Sequence, residues 1–443
     1  MDTGDTAWVL ASAALVLLMT PGLALFYGGM VRTKSVLNMM MMSFSSLLII
    51  TVLWVLYGYS EAFGDDVGGG LVGDPTQFAG LKGLIGTGEH LVFTIPALAF
   101  VAFQLVFAII TVALISGAIA DRAKFSTWCV FTVIWATLVY FPVAHWVFAF
   151  DGATAGEDSA GGWIANKLAA LDFAGGTAVH INAGAAGLAL ALVIGKRIGF
   201  GKEPMRPHNL PLVMLGAGLL WFGWFGFNAG SALGANQLAS IAWVNTVAAT
   251  AAAGLGWLAT EKLRDGHPTS LGAASGIVAG LVAITPAAGS VNPVGALFIG
   301  VIAGVLCALA VGLKYRFGYD DSLDVVGVHL VGGLWGTLSI GLFATADSPG
   351  AFGVDGLFWG GGVDQLGKQA VGAFAVLAYS FIATYIIGYA LHKTIGFRIT
   401  EEEEIEGIDY AEHAETAYDL IAGGGSGTFR PAQSVKTDAE VPA

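Results

Sequence analysis

Eleven stretches, each about 20 residues long and nearly free of charge, limit what this chain can become. They lie at approximately 8–31, 38–60, 91–120, 125–149, 174–195, 209–230, 237–260, 271–288, 293–314, 325–345 and 369–393. A segment of that length in a bilayer has no water to satisfy its backbone, so it folds as a spanning helix. Composition closes the soluble alternative. Only 12% of the 443 residues are charged and 56% are hydrophobic, against roughly 25% charged in a soluble protein. The mean hydropathy is +0.73. The chain therefore reads as an all-α polytopic membrane protein with 11 transmembrane helices, and most soluble enzyme classes are excluded. The first apolar run is preceded by Asp2 and Asp5 and continues through Leu25-Phe26-Tyr27. It lacks the basic start of a secretory signal and reads as the first spanning helix.

An odd number of spans places the termini on opposite sides. Sixteen of the nineteen Lys and Arg residues, from Arg32 and Lys34 to Lys436, fall in one set of loops and the C-terminal tail; Lys82, Lys167 and Lys368 fall in the other. Basic loops stay in the cytoplasm, so the N-terminus is expected outside and the C-terminus inside. The net charge of −13 is concentrated in residues 394–443, which carry −8. Nothing in the chain forms a basic patch for nucleic acid. Cys129 and Cys307 both sit in apolar runs, which argues against a disulfide framework or a Cys-rich zinc site. The 64 glycines, with Gly276-xxx-Gly280, Gly300-xxx-Gly304 and Gly332-xxx-Gly336, suit close helix packing. The outer loops 61–90, 150–173 and 346–368 are rich in Gly and Asp and suit a vestibule mildly attractive to cations.

Two segments resemble one another. The fifth span opens Asp172-Phe-Ala-Gly-Gly-Thr-Ala-Val-His180, and the tenth Asp324-Val-Val-Gly-Val-His329. Five spans separate them, so they run in opposite directions. A five-plus-five inverted repeat is a transporter signature, with the substrate path at the repeat interface. Ionisable groups inside a bilayer are costly and usually functional. His180 lies about 12 Å along its helix from Asp172, so the two imidazoles approach the midplane from opposite faces. Adjacent imidazoles share a proton, one donating and one accepting. Asp172 and Asp324 fit helix N-caps, and Asp172 also fits a carboxylate that favours a cation through its field. Phe103 and Phe107 share a helix face. Phe148 and the run Trp224-Phe225-Gly226-Phe227-Asn228-Ala229-Gly230-Ser231 close two helices at their outer ends. Such aromatics suit a cation site as well as core packing or the interfacial belt.

These residues, with Met19-Thr20-Pro21-Gly22-Leu23-Ala24-Leu25-Phe26-Tyr27-Gly28-Gly29 and the block Asp320 to His329, make the chain resemble the Amt/Mep/Rh ammonium transporters, specifically the bacterial Amt branch, from Met19 to Tyr418. The resemblance implies a homotrimer of eleven-helix subunits, each with its own pore, and no enzymatic activity or cofactor. It implies that Phe107, Phe148, Ser231 and Asp172 form an outer ammonium recruitment site. Below it, Phe107 and Phe227 would form a Phe gate, and His180 and His329 would line a hydrophobic pore. Phe103 and Trp224 would be vestibule aromatics. Bacterial members usually carry Trp where this chain has Phe148, and Phe is the weaker cation–π partner. The tail, with Gly407, Asp409, His413 and Glu415, resembles the family's regulatory tail. It implies docking on a neighbouring subunit and a PII-class nitrogen signal protein as partner. The domains expected are 1–393 in the membrane, 394–420 as a cytoplasmic tail and 421–443 as a disordered end. On this reading NH4⁺ is desolvated, loses a proton, and NH3 crosses with or without a separately moved H⁺.

Two other classes compete. An ammonium sensor shares the same residues. A membrane haem protein would use His180 and His329 as axial ligands. A zinc site is not expected, since it takes three or four protein ligands.

Overall fold

The computed structural model describes residues 1–86, 90–152 and 159–418. The expected disordered end at 421–443 lies outside the described residues. Among the described residues, ten helices are long and apolar enough to cross a membrane. They are α1 (Thr3–Met30), α2 (Thr33–Phe63), α3 (Ala97–Ile119), α4 (Phe125–Phe148), α5 (Gly176–Ile194), α6 (Leu210–Gly230), α7 (Gln237–Asp265), α9 (Pro293–Phe317), α10 (Val326–Phe343) and α11 (Asp364–Thr394). An eleventh apolar helix, α8 (Ser270–Ile284), has 15 residues. At 1.5 Å per residue it rises only about 22 Å. Tight turns through Ser290 extend it, and Thr285, Ala287, Ala288 and Ser290 are all fully buried. The amide of Asn245 donates to the carbonyls of Ala288 and Val291, at 2.8 and 2.7 Å. Irregular backbone at membrane depth is tolerated when protein surrounds it and satisfies it in this way.

One boundary differs from the sequence reading. The third span was expected from residue 91, but Leu91–Val92 (β1) and Ile95–Pro96 (β2) form an antiparallel pair. Pro96 holds Ile95 in extended backbone, and the helix begins only after it.

Two halves of the bundle meet at its centre. Helix α1 lies along α6, and the first turns of α5 and α10 pack on one another. Both turns are π-helical, at Gly176–Ile181 and Val326–Leu330. The structure corrects the repeat register. The counterpart of Asp172 is Asp321, not Asp324, because each carboxylate lies eight residues before its histidine. Asp172 accepts from the backbone N–H groups of Gly175, Gly176 and Thr177 at 2.7–2.8 Å and from the Thr177 hydroxyl. Asp321 accepts from Val325 and Val326 at 3.0 and 2.7 Å. Three residues after each carboxylate the backbone turns left-handed, at Gly175 (φ 114°) and Asp324 (φ 64°). Asp324 itself pairs with Lys314 at 2.8 Å and caps nothing. The packing repeats too: a Cβ on Gly184 would meet Leu330, and one on Gly333 would meet Ile181 and His180. Only glycine allows the two π-turns to approach this closely.

Candidate functional site

The two π-turns aim both histidines at one point. Nδ1 of His180 lies 3.2 Å from Nδ1 of His329. The rings are 5.4 Å apart by centroid and 23° from parallel. Each neutral imidazole has one N–H, so one ring donates and the other accepts. The nitrogen bonded to the partner fixes the state of the far nitrogen: one Nε2 is left an acceptor and the other a donor. The pair is therefore a hydrogen-bonded unit with one donor end and one acceptor end, in an apolar lining that includes Leu114, Leu220 and Val278. Nitrogens in direct hydrogen-bond contact leave no room for a porphyrin between them, which excludes the bis-histidine haem reading. Among the described residues no three His, Cys, Asp or Glu side chains come together as a metal site.

Trp224 stacks on His180 at 5.5 Å, 13° from parallel. Its indole N–H donates to the Thr285 hydroxyl at 2.8 Å. The sequence reading put Trp224 in the vestibule; it faces the histidine cavity instead, because helix α6 turns it inward one turn before Phe227. Phe107 and Phe227 are stacked at 4.1 Å and 24°. Phe227 lines the histidine cavity, and Phe107 lines a second cavity beyond the stack.

That second cavity holds Phe103, Phe107, Phe148, Asp172 and Ser231 together. Phe107 and Phe148 meet edge to face at 6.5 Å. The Ser231 hydroxyl donates to the carbonyl of Phe227 at 2.8 Å, so its lone pairs are left to accept. Asp172 reaches the cavity with its oxygens already engaged by the start of α5. It can favour a cation by its charge but has little left for direct contact. Trp146 does not replace the missing Trp at 148. Its indole N–H donates to the Leu71 carbonyl at 2.7 Å, and its ring packs on Trp163 and Tyr379. Sequence reasoning missed Phe100, Gln104 and Phe173 in this lining, and missed Asp321, although the shared eight-residue spacing was available to find it.

The tail folds as α12 (Glu401–Glu406) and α13 (Ile408–His413). It packs against loops of its own chain. Asp409 accepts from the backbone N–H groups of Leu37 and Asn38, at 2.9 and 2.8 Å, and so caps α2 from outside the helix. His413 meets the Asn38 amide at 3.0 Å. Glu404, buried, pairs with Arg398 at 2.8 Å and accepts from Ile198 N–H at 2.8 Å. Glu415 is exposed. Gly407 links the two short helices at φ 133°, and a Cβ there would lie 2.9 Å from that of Lys34. Gly407→Ala is therefore expected to cost the docked tail about 1–3 kcal/mol. Limited proteolysis within 401–413 should quicken in the variant; an unchanged rate would contradict the contact.

A bundle of apolar helices around a histidine-lined cavity, with a stacked Phe pair beside it, defines a membrane transport protein rather than an enzyme. The Ammonium Transporter Family model matches residues 7–418, and the chain belongs to that family as a multi-pass membrane protein. It is 64% identical to an ammonium transporter of Mycobacterium tuberculosis, over 96% of this chain and 92% of that one. It is 50% identical to an ammonium transporter of Aquifex aeolicus, over 95% and 94%. Among solved structures, Mep2 of Saccharomyces cerevisiae superposes with a TM-score of 0.82 at 34% identity, covering 97% of this chain and 94% of that one. A sensor Amt protein superposes at 0.83 and 31% identity, covering 93% and 98%.

Proposed function

We propose that this ammonium transporter recruits NH4⁺ at the Phe107–Phe148–Ser231 cavity, strips it of water and a proton, and conducts NH3 past Phe227, His180 and His329. The observation that carries this reading is the order of parts along one line: an aromatic cavity with a hydroxyl acceptor, a stacked Phe pair, then a hydrogen-bonded histidine pair in an apolar lining. A bare cation in the apolar histidine cavity would pay a large desolvation cost, and a neutral molecule would not. K⁺ and Na⁺ have no proton to lose and are excluded on that ground. The histidine pair offers the released proton its own route.

The orientation follows from charge. The recruitment cavity faces outward and the tail faces the cytoplasm, where the basic loops gather. The matched starts of α5 and α10 support a five-plus-five inverted repeat, with α11 as an addition. The resemblance supports a homotrimer, and a PII-class nitrogen signal protein as the partner at the tail face.

Methylammonium uptake by proteoliposomes, competed by ammonium and not by K⁺, tests the reading. Phe148→Trp restores the larger cation–π surface, worth about 0.5–1 kcal/mol. The apparent KM should fall by about two- to fivefold with the maximal rate unchanged. A KM that does not move would remove Phe148 from the recruitment site.

A further inference from the structure

A third buried imidazole, outside the pore, sits between a carbonyl oxygen and a carboxylate. His145 lies on α4, one turn before Phe148, and is fully buried. Its Nδ1 is 3.0 Å from the carbonyl oxygen of Ala62, and its Nε2 is 3.3 Å from Oδ1 of Asp66. A carbonyl oxygen and an ionised carboxylate both only accept. A neutral imidazole has one N–H, so either tautomer sets a nitrogen lone pair against an acceptor. The imidazolium donates from Nδ1 to the carbonyl and sets a positive charge 3.3 Å from the carboxylate as an ion pair. Burial works against the charge of Asp66, but the N–H groups of Gly70 and Gly68, with His145, hold its carboxyl below the usual range.

Asp66 belongs to the loop 64–74, which braces the end of α4. Trp146 donates to the Leu71 carbonyl at 2.7 Å, Trp163 N–H donates to that of Gly70 at 3.0 Å, and the Lys167 ammonium donates to that of Gly69 at 2.6 Å. Other ionisable groups stand on the elements packed around α4. Glu61 is on α2, Asp65 is bonded to the Gln77 amide, Lys167 is held as above, and His180 on α5 is engaged by His329. Asp66 is the charged group that approaches the imidazole itself.

We propose that His145 and Asp66 together hold one proton, and that this proton clamps loop 64–74 onto α4, making His145 a positioning residue for the Phe148 wall of the vestibule. The transport consequence rests on reading that vestibule as the recruitment site; the clamp does not. Imidazoles titrate between about pH 5 and 8. The clamp is shut while the pair holds its proton and opens as the outer pH rises through its loss.

Hydrogen exchange of the intact protein in liposomes reads the clamp directly. After correction for intrinsic rates, protection of the loop 64–74 amides should fall about tenfold between pH 5 and 8, the loss of one charge-assisted bond. Asp66→Asn supplies an amide N–H to a neutral ring, so its protection should stay level. Flat protection in the unmodified protein, or the same slope in Asp66→Asn, overturns the clamp. The unmodified protein alone decides the matter if the variant does not fold. The apparent KM for methylammonium should rise with the same midpoint; a step in exchange with a flat KM overturns the positioning role. Absence of all ammonium transport would sink the recruitment reading and leave the exchange result standing.

Discussion

Proteoliposomes carrying His180→Ala should lose at least about tenfold of the ammonium-evoked current, and the remainder should no longer discriminate against K⁺. The magnitude follows from the pair. His180 and His329 share one hydrogen bond inside a dry cavity, and deleting one member leaves the other buried and unpartnered at about 1–3 kcal/mol. The same deletion removes the ring that Trp224 and Phe227 pack against. The space it frees is polar on one side, so water can enter. A hydrated cavity no longer demands that a cation shed its proton. His329→Ala should show the same loss from the other side of the bond. A selective, charge-carrying flux of normal size in either variant would contradict the role given to the pair.

The largest expected effect on stability lies away from the pore. Asp320 is fully buried. It accepts from the side chain of Arg197 at 2.9 and 2.8 Å and from its backbone N–H at 2.7 Å. Arg197 in turn pairs with Asp121 at 3.0 Å, and Arg122 donates to the Asp320 carbonyl at 2.6 Å. Asp320→Asn leaves a buried guanidinium short of a counter-charge, which costs about 3–5 kcal/mol. Thermal unfolding in detergent should register the loss as a clear drop in Tm. The pH dependence has a definite sign. Burial opposes the charge on Asp320, but Arg197 and Arg122 hold its carboxyl below the usual range. Stability drawn from such a group is complete above its unfolded pKa, near 3.9, and is lost as pH falls through the lower folded value. The unmodified protein should therefore lose stability below about pH 4, and the variant should lack that part of the slope. Equal slopes would mean the ion pair carries no such linkage.

The placement of the apolar helices was legible in the sequence because hydrophobic length alone sets it. Ten of the eleven expected spans are long, apolar helices close to their expected bounds. Where the reading slipped, local backbone chemistry outweighed hydropathy. Residues 91–96 are apolar enough to extend α3, yet Pro96 turns them into a hairpin. Asp324 looked like the partner of Asp172 because both precede a Val-His pair. The capping bonds belong to Asp321, which shares with Asp172 the eight-residue spacing to its histidine and a left-handed residue three positions on. Trp224 could not be placed from its position near a helix end, since a single helix face decides whether it meets the vestibule or His180. The histidine contact itself is a tertiary event, fixed where Gly184 and Gly333 let two π-turns meet. The tail was legible as a charge run, but which of its carboxylates is buried depends on the basic loops that receive it. Glu404 finds Arg398, while Glu415 stays exposed.

The central claim is that ammonium passes this chain by giving up a proton that K⁺ does not have. Current recorded on a solid-supported membrane after an ammonium pulse, with internal pH followed in the same vesicles, tests it most directly. The expected result is a transient current evoked by ammonium, absent with K⁺ and absent in empty liposomes. A K⁺ pulse that evokes a current of the same size, or an ammonium pulse that moves neither charge nor internal pH beyond empty liposomes, would contradict it.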